Sequence, residues 1–345
     1  MRKCSEENPS HSVSSQSAGD RMSSEPVLPR AAMHLVPPDS PVEGGIVSTT
    51  PCLKGKSASF VRHVAIDVCG TPLAGRFLAG QSFGVVPQGM DEHGRPHRAR
   101  LYSIACPSWG EDGRGNVLST IVERFIDERK PQRPTDDVAD QRLFLGVCSN
   151  YLCDRRVGDT AMITGPRGKQ FLLPASPNEH DYLFVATGTG ISPFRGMVME
   201  LLDHPKGACP SRIRLVMGSP YTTDLVFDAQ FRGYEARHRN FKYYTAISRE
   251  PIPGSGRGKY VGSVIEEHLD DDLGELLAGR RTLIYICGAA GMQFGVFRLL
   301  VRHGLAGAYL KIKDDELAGM PADEWPVERM ERRVRPTKRC MLEVY

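Results

Sequence analysis

Residues 185–196 read "VATGTGISPFRG", and this stretch decides the fold. An apolar run ends in a glycine turn and passes directly into a helical start. That is the strand–turn–helix grammar of a parallel α/β sheet. Ser192 is expected to cap the helix, with Pro193 at its first position. Gly188 and Gly190 would let the backbone approach a ligand closely, and the helix start would present free N–H groups to a phosphate. Thr187 and Thr189 belong to the same turn. A tight turn without a ligand is the bland alternative, but the strand-to-helix context favours phosphate. The spacing differs from G-x-G-x-x-G, so an ordinary Rossmann dehydrogenase is not favoured.

Working outward, the same grammar holds after Pro177. "YLFVAT" (182–187), "IRLVMG" (213–218), "KYYTAI" (242–247), "LIYIC" (283–287) and the last run, "CMLEVY", are short and mostly apolar. Helical patterns separate them, and Phe194, Met197, Val198, Leu201 and Leu202 fall at helical spacing on one face. Ligands of such sheets sit at the carboxyl ends of the strands. From about Ser59 to Leu173 the pattern is different: "FVRHVAIDV", "FGVV", "LYSIAC", "VLSTIVERF" and "TAMIT" are short β runs broken by Gly/Pro/Asp clusters. That pattern predicts a small antiparallel barrel. The expected architecture is therefore two-domain, an antiparallel β-barrel (51–177) followed by an α/β parallel-sheet domain (178–345). The Ser-rich residues 1–50 read as a disordered leader.

Composition narrows the function. A net charge of +3 on 345 residues argues against a dedicated nucleic-acid binder. Nine cysteines without a C-x-x-C pair read as free thiols in a reducing compartment rather than a metal site. No apolar run is long enough to span a bilayer, so no stable membrane insertion is expected. The expected location is cytoplasmic, with organelle import left open by the leader.

Four further segments carry chemistry. "RLYS" (100–103) places Tyr102 and Ser103 on opposite faces of a strand. "GVCSNYLC" (146–153) sets Cys148, Ser149 and Asn150 near a short helix start. "AISRE" (246–250) ends a strand with Ser248 and Arg249, and Arg257, Lys259 and Tyr260 follow after a Pro/Gly loop. Hydroxyl and guanidinium groups at a strand end suit a phosphate monoester. "YICGAAGM" (285–292) ends a strand in Cys287-Gly288, by base rate a buried core cysteine. The histidines form no ligand or triad pattern.

In this order the motifs resemble the plant-type ferredoxin–NADP reductase family. The resemblance rests on "GQSFGVVP", "RLYSIA", "GVCSNYLCD", "ITGPRGKQFLLP", "TGTGISPFRG", "SRE", "YICGAAGM" and the closing "EVY", and covers roughly residues 55–345. It implies a flavin oxidoreductase with FAD in the barrel and NADP(H) on the α/β domain. Arg100, Tyr102, Ser103, Cys148 and Ser149 would hold FAD, with Tyr102 packed against the isoalloxazine. Thr187, Gly188, Thr189 and Gly190 would receive the NADP pyrophosphate. Ser248, Arg249 and Tyr260 would take the 2′-phosphate adenosine end, with Arg257 or Lys259 as the second basic group. Cys287, Gly288 and Glu343 would line the nicotinamide pocket beside Ser103. Tyr345 would cover the other flavin face as a displaceable lid. Ser103, Cys287, Glu343 and Tyr345 are thus the implied catalytic set.

The resemblance also implies an acidic one-electron carrier, ferredoxin or flavodoxin, for which Arg95, Arg98, Arg155, Arg156, Arg167 and Lys169 could form a basic rim. The alternatives are the reductase component of a multicomponent oxygenase, resembling benzoyl-CoA epoxidase reductase, and a flavin- or nucleotide-binding regulator. Two positions depart from the family. Asp127 stands where an aromatic residue stacks the FAD adenine, and Glu123 stands where plant members carry a lysine.

Overall fold

A computed structural model describes residues 25–91, 93–128, 143–251, 256 and 258–345. The first half is built from β1 (Val42–Pro51), β2 (Val61–Asp67), β3 (Ser82–Val86), β4 (Arg100–Ser103), β5 (Val117–Glu123), β6 (Ile126–Glu128), β7 (Leu143–Leu145) and β8 (Thr160–Arg167). Six of these form one antiparallel sheet in the order β4–β3–β8–β1–β2–β5. A bridge between Ile104 and Thr120 joins its two edges and closes the barrel. The inward residues, among them Val64, Ile66, Phe83, Val85, Ile104, Leu118 and Ile163, make its core. The short helix α1 (Val147–Cys153) adds Cys148, Leu152 and Cys153 to that core.

The leader expectation needs correcting. Residues 1–24 lie outside the described residues, but β1 occupies 42–51 and sits inside the sheet between β8 and β2. "VEGGIVSTTP" continues the Ser/Gly tone of the preceding segment, which hid its β-branched Val42, Ile46, Val47, Thr49 and Thr50. Residues ahead of β1 are ordered as a strap. Glu25 pairs with Lys338 at 2.8 Å, the Val27 carbonyl accepts from the Ala175 N–H, and Val36 exchanges backbone hydrogen bonds with Gly165.

The second half places β9 (Asp181–Thr187), β10 (Ile213–Ser219), β11 (Phe241–Ile247), β12 (Thr282–Gly288) and β15 (Cys340–Val344) in one sheet, ordered β11–β10–β9–β12–β15. All four pairings are parallel. A separate antiparallel pair, β13 (Leu310–Ile312) and β14 (Val334–Pro336), precedes the last strand. Both faces of the parallel sheet are covered, which is why its strands read as near-continuous apolar runs. Tyr182, Phe184 and Ala186 turn toward α2 (Ile191–Leu202) and α3 (Asp228–Arg237). Leu183 and Val185 turn toward α4 (Val261–Glu267), α5 (Asp272–Ala278) and α6 (Met292–Arg302). No helix among the described residues is long and apolar enough to cross a membrane.

The α2 face of the sheet shares one apolar cluster with Val61, Ala79, Ala105 and Ile121 of the barrel. Helix α2 is therefore wedged between sheet and barrel, and its burial extends well beyond the single apolar face read from the sequence. The seam also holds a polar contact: Arg195 of α2 donates to Glu111 of the barrel at 2.5 Å and to the Ala105 carbonyl at 2.8 Å. Ser119 donates to the same carboxylate at 2.6 Å.

Candidate functional site

The glycine turn after β9 forms a single 3-10 turn, Gly188–Gly190, that runs straight into α2. Gly190 occupies the N-cap place, so the expected Ser192 cap is not made. Ser192 is the second residue of the helix and donates its hydroxyl to the Ser103 carbonyl of β4 at 2.9 Å, tying the turn to the barrel. Gly190 is required because a Cβ there would overlap the Cys287 carbonyl. Gly288 carries φ +141° and packs on Thr187, a conformation and a closeness that only glycine tolerates. Thr187 accepts from the Ala289 N–H at 2.9 Å, which locks the two strand-end turns together.

Four of the sequence-predicted residues meet where β4 reaches the carboxyl ends of β12 and β15. Register places Cys287 beside Glu343 on neighbouring strands. The Ser103 hydroxyl donates to the Glu343 carboxylate at 3.5 Å. Burial pushes the Glu343 carboxyl up to about 7, against the opposing pull of the Ser103 hydrogen bond. Burial also raises the Cys287 thiol, and the Glu343 charge beside it adds to that shift, so the thiol stays protonated at neutral pH. Tyr345 follows on: its phenol lies 2.7 Å from the Thr189 hydroxyl, and its backbone oxygen accepts from the Ala290 N–H at 2.9 Å. The ring is 64% exposed, held at one polar end only.

On the barrel side, Arg100, Tyr102, Cys148 and Ser149 line one cavity of about 520 Å³. Burial raises the Tyr102 phenol, and the neighbouring Cys148 adds to the shift. Helix α1 starts at Val147, with Gly146 as its N-cap, rather than at Ser149. The Ser149 hydroxyl instead accepts from the Phe125 N–H at 3.2 Å and donates to the Gly146 carbonyl at 3.1 Å.

Residues 184–296 match the family described as the oxidoreductase NAD-binding domain. The ferredoxin–NADP reductase of Thermosynechococcus vestitus is 33% identical over 267 residues, 76% of this chain and 66% of that protein. That of a Spirulina species is also 33% identical over 267 residues, covering 76% of this chain and 87% of its own. The chain belongs to the ferredoxin–NADP reductase family. It spans just under two thirds of the Thermosynechococcus relative. The ferredoxin–NADP+ reductase structure from Plasmodium falciparum shares the fold, with a TM-score of 0.64 at 20% identity, over 91% of this chain and 99% of that one.

Set against the family's motifs, the nucleotide residues divide. Thr187, Gly188, Thr189, Ser248, Tyr260 and Tyr345 all line a second cavity of about 920 Å³. Cys287 is fully buried and does not reach the wall of this cavity. Arg249 is exposed and anchored through its backbone N–H to the Pro220 carbonyl, outside the cavity lining. Lys259 is turned to a smaller neighbouring cavity and pairs with Glu267 at 2.5 Å. Arg257 lies outside the described residues. Two groups that sequence reasoning missed, Arg298 and Arg302 of α6, line the same large cavity. Their signal was helical period: Met292, Gly295, Arg298 and Arg302 follow one face. Glu123, noted only as a departure, also lies on this wall near Tyr345.

Proposed function

We propose that this chain is an FAD-dependent reductase moving electrons between NADPH and a one-electron carrier, ferredoxin or flavodoxin. The observation that carries the reading is the meeting of Ser103, Cys287 and Glu343 at the seam, with Tyr345 bound to the nucleotide turn. Arg100, Tyr102, Cys148 and Ser149 are suited to hold FAD, since one cavity presents an aromatic face, a guanidinium and a hydroxyl together. Thr187 to Gly190 offer backbone N–H groups to the NADP pyrophosphate, and Ser248 and Tyr260 offer the 2′-phosphate end a hydroxyl and a ring inside the cavity, with the exposed Arg249 next to Ser248 in the chain as the charge. When bound, FAD supplies the exchange between two-electron hydride transfer from NADPH and single-electron release.

The chain's own part is orientation and proton handling. Glu343, raised by burial to about 7, is shared between its two protonation states near neutral pH, and the Ser103 hydroxyl 3.5 Å away is placed to pass a proton on. Cys287, protonated and buried, shapes the pocket without adding charge. Tyr345 shields the site from water; aromatic stacking contributes about 0.5–1.5 kcal/mol beyond area burial, small enough for a nicotinamide to displace it. Arg156, Arg167 and Lys169 are the groups offered to an acidic carrier, while Arg98 lines the flavin cavity and Arg95 and Arg155 are engaged by Asp91 and Asp159.

Relatives that bear the name ferredoxin–NADP reductase favour this free-carrier reading over the oxygenase-reductase one. The eight free cysteines among the described residues fit a reducing compartment such as the cytoplasm. The test is a visible spectrum of the purified protein titrated without oxygen, with NADPH and separately with NADH. A flavin band bleached by NADPH at far lower concentration than by NADH is expected. A colourless protein that gains no band on addition of FAD overturns the reading.

A further inference from the structure

Asp127 stands where the family carries an aromatic residue, and the strand pairing shows what faces it. β6 and β7 pair antiparallel, with Asp127 directly opposite Phe144. Residues opposite one another share a face of a hairpin. Phe125, two positions before Asp127, belongs to that face by period two. Its ring meets that of Phe144 edge to face, with centroids 6.1 Å apart. Both rings are about half exposed, and both line the 520 Å³ cavity that also holds Arg98, Arg100 and Tyr102. Large apolar rings left open beside arginines suit a ligand that combines a flat base with an anionic linker.

We propose that Phe144 supplies the surface on which the adenine of FAD stacks, taking on β7 the role that the family gives to β6. The inference rests on the FAD reading above. Phe125 buttresses the ring from its edge, and Arg98 and Arg100 of the same cavity would supply the charge for the pyrophosphate. A protein partner docked on the same apolar surface is the competing occupant, and FMN separates the two because it carries the flavin ring without the adenosine.

The experiment follows flavin fluorescence as flavin-free protein is titrated with FAD or FMN. Phe144→Ala is expected to weaken FAD about tenfold, the scale of one base–aromatic stack, with FMN unchanged. Phe144→Trp restores FAD. Equal weakening of both flavins makes Phe144 a structural residue and overturns the proposal, as does unchanged FAD affinity. Wild-type protein that takes up neither flavin overturns the FAD reading itself, and this inference with it.

Discussion

Glu343 is a carboxyl kept half-protonated at neutral pH by burial, and that has a cost the fold carries. Its folded value of about 7 lies above the ordinary 4.5. The native state therefore binds the proton more tightly than the unfolded chain does. Its contribution to stability is fully present below pH 4.5 and is lost as pH rises through 7. The loss is on the order of 3 kcal/mol. Glu343→Gln should accordingly leave stability at pH 5 nearly unchanged and raise it at pH 8 by up to that amount, as read from urea unfolding at the two pH values. The same variant should flatten the pH dependence of NADPH-driven turnover between 6 and 8. The grouping of Ser103, Cys287 and Glu343 was legible only through the family resemblance, because each motif by itself reads as an ordinary strand end and register alone brings them together. Phe144 was not legible: its position has meaning only through the residue paired with it across a hairpin.

Among the elements, the turn between β9 and α2 is the most constrained. Gly190 and Gly188 look alike in sequence, yet only Gly190 is packed against backbone. Gly190→Ala should cost about 3 kcal/mol or more, because the Cys287 carbonyl cannot yield without moving β12. Gly188→Ala meets open space and suffers only from its left-handed φ of +54°, about 1–2 kcal/mol. Thermal unfolding of the two variants should order them clearly, and equal losses would refute the packing argument. The parallel sheet was readable from its apolar runs and helix periods. Strand β1 was lost in a Ser/Gly-toned leader because a strand with two adjacent glycines carries little of the pattern by which strands are recognised. The Ser192 cap failed for a different reason: the helix starts earlier, and its hydroxyl is used across the seam.

At the scale of the whole molecule, barrel and sheet are joined by an ion pair that no sequence pattern announces, since Glu111 and Arg195 lie in different halves. Burial works to raise the Glu111 carboxyl, but the His63 imidazole 3.2 Å away, the hydrogen bonds from Arg195 and Ser119 and the Arg195 charge override it and bring it down to about 2. The stability it lends is present above pH 4.5 and is lost as pH falls toward 2. Arg195→Ala leaves that carboxylate without its guanidinium partner at the seam and should cost about 3 kcal/mol. Calorimetry should then show two transitions in place of one, and the acid-induced loss between pH 4.5 and 2 should shrink.

The place of β1 has a further consequence, for the order of events during synthesis. β1 pairs with β8 through contacts such as Val42 with Ile163, so one of the first strands made must wait for one of the last strands of the barrel. Until β8 emerges from the ribosome, β1 has only β2 on one side and an open edge on the other, a state prone to mispairing. Such distant pairing slows folding. The barrel therefore assembles late in translation, shortly before β9 begins the sheet it must dock against.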